Sequence, residues 1–214
     1  STGIPKALLK VRGEKIIDLI IQRFSKLGNF NFNLICSDKH QQQWRKYKDT
    51  SKDDIKLLFE TTKLDTAGYI IQNLNSMPDS FYCMNGDLLL DIDLQELILE
   101  STSIPNSLIG SIEVDDPTRY GVLQVTEGNK VADFIEKPDD DRFGKKISLG
   151  LYHLYKNDLQ KIISDIQIPC SFEQDIFPKL AEQNLLHTYT VTGKMIDVGT
   201  LESYISSHLK GANN

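Results

Sequence analysis

Phe81-Tyr82-Cys83-Met84-Asn85-Gly86-Asp87 is an apolar run that stops at Asn-Gly-Asp, and Leu88-Leu89-Leu90 and the acids Asp91 and Asp93 follow it. It reads as a buried strand whose end carries a backbone-permissive glycine and one carboxylate. In open α/β sheets ligands lie beyond the carboxyl ends of the strands, which aims Asp87 at substrate rather than at core. The same tripeptide suits an ordinary turn, because Asn, Gly and Asp are residues that turns select. The rest of the chain decides between the two.

Upstream, the apolar positions of residues 15–27 recur at helical spacing, and Gly28 stands where a left-handed cap belongs. Residues 32–36 read as a strand, 38–48 as a solvated helix with Trp44 and Tyr47 on one side, and 55–59 as another strand. Residues 64–68 open a helix that runs to about residue 74, with Asp65 or Thr66 as a candidate N-cap. Downstream come a short helix over 94–99 and a strand over 107–114. This alternation predicts an α/β fold with a mainly parallel sheet covered by helices on both faces.

The pattern changes after residue 115. Residues 120–125 and 130–135 read as an antiparallel hairpin turning at Gly128 and closed by Pro138. A charged loop leads into 147–155, then a helix over 157–163. Residues 171–184 are helical with Pro178 inside, which predicts a kink or two pieces. Residues 185–191 make the last strand, 196–200 a loop, and 201–209 a closing helix that Thr200 caps. With no repeat or linker in view, the economical reading is one domain over residues 1–214 with an antiparallel hairpin insertion.

The chain has 214 residues, long enough to bury a core without staples. Its net charge of -6 disfavours nucleic-acid binding, which needs a concentrated basic surface, yet leaves room for a nucleotide held by a few lysines. Cys36, Cys83 and Cys170 are odd in number and far apart, as reduced structural thiols are. No apolar run approaches the roughly 18 residues of a membrane span, and the first residues lack a signal-peptide profile. The expectation is a cytoplasmic protein without membrane contact, and a homo-oligomer is left open.

Nucleophile constellations are missing: there is no Gly-x-Ser-x-Gly, and His40, His153, His187 and His208 are scattered without metal spacing. What remains is a set of charged residues at predicted strand ends: Lys6, Asp87, Glu136, Lys137 and Asp197. Carboxylates suit Mg²⁺, which takes one or two of them together with substrate phosphates. Lysines suit phosphoryl oxygens as compact charges. The combination points to metal-assisted chemistry at phosphorus.

Six strings carry a resemblance: Pro5-Lys6, Leu64-Asp65-Thr66-Ala67-Gly68, Asn85-Gly86-Asp87, Asp116-Pro117-Thr118-Arg119-Tyr120-Gly121-Val122, Phe134-Ile135-Glu136-Lys137-Pro138 and Ile196-Asp197-Val198-Gly199-Thr200. Their order resembles that of the sugar-1-phosphate nucleotidyltransferases, in particular short forms such as mannose- and heptose-1-phosphate guanylyltransferases and glucose-1-phosphate thymidylyltransferases. The resemblance implies a Rossmann-like fold and transfer of a nucleotidyl group from an NTP to a sugar 1-phosphate, with pyrophosphate released and Mg²⁺ as cofactor. It implies that Asp87 and Asp197 hold the metal, that Gly86 permits close approach, and that Lys6 neutralises triphosphate oxygens. Lys137 would grip the sugar phosphate and Glu136 the sugar hydroxyls, with Tyr120, Gly121, Ser148 and Gly150 shaping the sugar pocket. Asp65, Thr66 and Gly68 would lie against the nucleobase.

Three departures stand out. The family begins with a strand and a Gly-x-Gly-Thr-Arg loop that would precede Ser1, so the expected domain lacks its first strand and glycine-rich loop. Asp65 replaces a usual glycine, and Ser148 stands where many relatives place an asparagine. The alternative function is a non-catalytic, regulatory member of the same fold that binds a nucleotide or nucleotide sugar.

Overall fold

The computed structural model describes residues 3–197. Its elements run β1 (Lys10–Val11), β2 (Glu14–Lys15), α1 (Ile16–Ser25), β3 (Phe32–Ser37), α2 (Gln41–Thr50), β4 (Ile55–Glu60), α3 (Asp65–Gln72), β5 (Ser80–Met84) and β6 (Leu88–Ile92). Then follow α4 (Leu94–Ser103), β7 (Ser107–Glu113), β8 (Gly121–Val125), β9 (Val131–Glu136), β10 (Lys146–Tyr155), α5 (Lys156–Ile162), α6 (Phe177–Glu182), β11 (Leu186–Thr190) and β12 (Gly193–Asp197). Among the described residues, contacts cluster into two compact units: residues 3–63, 85–91 and 195–197, and residues 64–84 and 92–194.

In the first unit β3 and β4 pair in parallel, from Phe32 opposite Ile55 to Ser37 opposite Glu60. Ile17 and Ile21 of α1 and Trp44 and Tyr47 of α2 are buried with Cys36 and Ile55. The solvated helix foreseen for residues 38–48 thus keeps one apolar stripe, three residues apart, for the core. β1 and β2 turn back through Arg12 and Gly13, at φ 54° and 89°, the two left-handed positions a tight two-residue hairpin requires. β6 and β12 form a separate two-stranded sheet, and Leu89 and Ile196 pack with buried Val11 and Ile16.

The second unit is built on a six-stranded mixed sheet, ordered β11-β7-β10-β8-β9 with β5 beside β10. β11 runs parallel to β7, whereas β10 is antiparallel to β5, β7 and β8, and β8 to β9. Tyr152, Phe172 and Phe177 form its aromatic centre, with Tyr152 and Phe177 centroids 4.7 Å apart. The α/β class expected from the sequence holds, and so does the hairpin turning at Gly128, whose φ is 73°.

Several expectations are corrected. Gly28 is not among the left-handed glycines; α1 ends at Ser25, with Lys26 in helical geometry as its cap. Neither Asp65 nor Thr66 caps α3, because Leu64 occupies the cap and makes no side-chain bond there. The helix expected over 94–99 extends to Ser103, started by Asp93, whose carboxylate accepts the Glu96 amide. Residues 171–184 do fall into two pieces, a π-helix over Phe172–Ile176 and then α6, with Pro178 in its first turn where no amide is needed. β11 is not the last strand, since β12 follows where the sequence suggested a loop. The predicted closing helix over 201–209 and its Thr200 cap lie outside the described residues. All three described cysteines are free thiols, and none of the described helices is long and apolar enough to cross a membrane.

Candidate functional site

Within the first unit, the turn after β5 carries Asn85, Gly86 and Asp87, and β6 starts at the next residue. Lys6 opens a 3₁₀ turn, Lys6–Leu8, that Pro5 starts and that closes with Leu8 and Leu9 amides donating to the Pro5 and Lys6 carbonyls. This sets Lys6 Nζ 3.5 Å from Asp87 Oδ2. The lysine is 57% exposed and the acid 30%, so the pair is within reach of an incoming ligand. An ion pair this open contributes little stability. A Cβ on Gly86 would meet only Ala7 Cβ, at 3.5 Å, an ordinary contact. The protein's own packing therefore does not demand glycine at this position.

Asp197 ends β12, the strand paired with β6. Its side chain lies outside the described residues. Among the described residues no group of three or more His, Cys, Asp or Glu forms a metal cluster. Mg²⁺ needs only one or two protein carboxylates beside phosphate oxygens, and the partly open carboxylate of Asp87 fits that requirement.

In the second unit, the end of β9 and the start of β8 bring Tyr120, Gly121, Glu136 and Lys137 together. Gly121 lies opposite Glu136 in the ladder, and the Lys137 amide donates to the Tyr120 carbonyl at 3.0 Å. Lys137 has φ 47°, the left-handed region, which turns its side chain out of the strand alternation. Its Nζ sits 2.7 Å from Glu136 Oε1, with the lysine 65% exposed and the glutamate 22%. Gly121 is dictated by packing: a Cβ there would stand 2.2 Å from Phe134 Cζ and 3.1 Å from Glu136 Oε2.

β10 breaks its register with β7 between Ser148 and Tyr152, and inside the break Gly150 takes φ 67°. The Ser148 hydroxyl oxygen accepts the Gly150 amide at 3.1 Å, which holds the irregularity in place. Ser148 and Gly150 are thus joined in one bulge, whereas sequence alone gave only their proximity along the chain.

Residues 64–68 start α3. Asp65 has φ 65° and accepts the Thr66 amide on its own carboxylate at 3.1 Å. Gly68 is buried, and a Cβ there would come within 2.9 Å of Leu64 Cβ, so a larger residue would force the turn open. Glu173 went unnoticed in the sequence, although its carboxylate accepts from Thr66 and from Tyr152. The only local signal was Ser171 followed by Gln174, an N-cap pattern that the structure realises through Ser171 Oγ.

The sequence model described as nucleotidyl transferase matches residues 1–214. The catalytic subunit beta of mannose-1-phosphate guanylyltransferase of Drosophila pseudoobscura pseudoobscura is 27% identical over 209 residues, 94% of this chain and 55% of that protein. The chain spans about half the length of the curated relatives it matches. The crystal structure of HddC from Yersinia pseudotuberculosis superposes with a TM-score of 0.79 at 26% identity, covering 99% of this chain and 92% of that one. The same protein complexed with GMP-PN gives 0.77 at 25% identity, covering 97% and 90%.

Proposed function

The chain belongs to the nucleotidyl transferase family, and on that premise we propose that it transfers a nucleotidyl group from a nucleoside triphosphate to a sugar 1-phosphate, releasing pyrophosphate. The observation that carries the reading is the pairing of Lys6 with Asp87, residues some eighty positions apart that two unrelated turns set 3.5 Å from each other. A cation next to an acid at a strand-end turn suits phosphate oxygens and a divalent ion together.

Asp87 and Asp197 would hold Mg²⁺, which when bound neutralises charge on the phosphoryl oxygens. Lys6 exchanges its contact with Asp87 for triphosphate oxygens, a trade that costs little because the pair is open to water. Lys137 takes the phosphate of the sugar 1-phosphate. Glu136, released from Lys137, accepts from sugar hydroxyls, while the bulge at Ser148 and Gly150 and the Tyr120-Gly121 backbone bound the sugar. Residues 65–68 lie against the nucleobase. A sugar-phosphate oxygen attacks the α-phosphorus in line, the bond to the bridging oxygen breaks, and pyrophosphate departs with the electron pair. The protein aligns reactants and neutralises charge and needs no nucleophile of its own.

The relatives' names make GTP with mannose 1-phosphate the first pair to test. Pyrophosphate release should be measured over the common triphosphates and sugar 1-phosphates with Mg²⁺, then after chelation. Asp87→Asn should lower the rate by roughly 100-fold or more with unchanged circular dichroism. A wild-type chain that binds nucleotide and releases no pyrophosphate with any pair would instead identify a regulatory member of the fold.

A further inference from the structure

Thr66 has one hydroxyl proton, and the structure spends it: Oγ1 donates to Glu173 Oε2 at 2.9 Å and accepts the Phe172 amide at 2.9 Å. The second carboxylate oxygen of Glu173 accepts from the hydroxyl of buried Tyr152 at 3.4 Å. Two hydroxyls from separate elements thus hold one partly buried carboxylate, and among the described residues no lysine or arginine pairs with it. The carboxylate pushes the Tyr152 phenol and the Cys83 thiol further up after burial has already raised both. Backbone bonds close the same junction, from the Ala67 amide to the Cys170 carbonyl and from the Cys170 amide to the Leu64 carbonyl, both at 3.1 Å. Asp65 is held left-handed at this junction, a conformation that persists only where the surroundings over-determine it.

We infer that Glu173 is a positioning residue for the nucleobase loop: it fixes Thr66, and through Thr66 the backbone of residues 64–68. The inference rests on the reading that this loop meets the base. It also redefines Thr66. With its proton committed to Glu173, its hydroxyl has none to donate to a base, so the base is met by the loop backbone. A hydrogen bond to a charged group is worth enough that losing it loosens the loop, and because Tyr152 and Phe172 tie this junction to the aromatic centre, circular dichroism of each variant is the control for the fold.

The test uses the full chain with Glu173→Ala, Glu173→Gln, Thr66→Val, Thr66→Ser and the Thr66→Val/Glu173→Ala double variant. Two readouts are taken: native-state hydrogen exchange at the Ala67 amide, and GTP affinity with Mg²⁺ by calorimetry. In Glu173→Ala and in Thr66→Val, exchange should quicken and the GTP Kd should rise, each about tenfold. The KM for the sugar 1-phosphate that supports turnover should stay where it is, a split that general loss of structure would not produce. Glu173→Gln and Thr66→Ser should recover most of both, and the double variant should be no worse than either single one. Wild-type exchange at Ala67 in Glu173→Ala, or additive losses in the double variant, would overturn the inference. If Glu173→Ala does not fold, Thr66→Val against Thr66→Ser decides it alone. A wild-type chain that binds no triphosphate overturns the base-loop reading, while exchange at Ala67 still decides whether Glu173 holds Thr66.

Discussion

At Gly121 the side chain is a single hydrogen because Phe134 leaves no more room: the ring edge would be 2.2 Å from an added carbon. Phe134 is buried, packed on Phe177 at 5.1 Å between centroids, and cannot swing away freely. Gly121→Ala should therefore destabilise the second unit by about 1–3 kcal/mol, read as a lower urea midpoint. It should also displace Glu136, whose Oε2 would be 3.1 Å from the new methyl. Lys137 makes the complementary case. Its side chain is mostly exposed, so Lys137→Met should leave stability within about 0.5 kcal/mol. On the proposed role, the same change should raise the KM for sugar 1-phosphate by about tenfold or more, since a charge-assisted phosphate contact would be lost. Equal KM values in the two proteins would remove Lys137 from the sugar-phosphate role. The sequence carried Glu136 and Lys137 as adjacent letters. What it did not carry was the left-handed backbone at Lys137, which depends on the Tyr120 carbonyl seventeen positions away accepting its amide.

At the scale of elements, β10 is the strand on which the second unit depends, and it contains a buried histidine. His153 stacks on Tyr82 with centroids 4.5 Å apart, touches the Tyr155 ring, and places Nδ1 3.0 Å from the Ser101 carbonyl. Burial lowers its pKa below the usual value, against a smaller opposite pull from the Ser101 carbonyl. The unfolded chain then binds a proton near pH 6.5 that the folded chain refuses until lower pH, so stability is intact above about 6.5 and falls as pH drops below it. His187 on β11 shifts the same way, through burial and then Lys130. The stability gap between wild type and His153→Gln should narrow from pH 7 to pH 5, measured by urea midpoints, with His187→Gln as the parallel control.

Elements with a clear period were legible: α1, β3, β4, β7 and the hairpin of β8 and β9 all stand where spacing placed them. β12 was not, because Gly193-Lys194-Met195-Ile196-Asp197 has no alternation, and its strand state comes from pairing with β6 about a hundred residues earlier. Thr66 misled for a similar reason. Next to a helix start, a threonine is normally a cap, and only Glu173, 107 positions on, draws its hydroxyl elsewhere.

For the whole molecule, the net charge of -6 makes a polyanionic substrate an uphill guest unless cations are supplied locally. Under the proposed function Lys6 would meet the triphosphate and Lys137 the sugar phosphate, and a divalent ion would supply the remaining positive charge. Mg²⁺ and triphosphate together should therefore raise the melting midpoint, by about 2.7 kcal/mol of stability at roughly a hundred times Kd, while either alone does much less. A chelator should reverse the gain, and a shift produced by triphosphate without any divalent ion would count against the metal role of Asp87.

The three free cysteines have a practical consequence. Burial first, and neighbouring acids second, push Cys36 and Cys83 up to about 12 and Cys170 up to about 11. Maleimides attack the thiolate, so all three native sulfurs should stay almost inert at neutral pH. A single new cysteine at exposed Ser164 would then accept a fluorophore selectively, and a local reporter could be placed in solution without first stripping the natural sulfurs from the core.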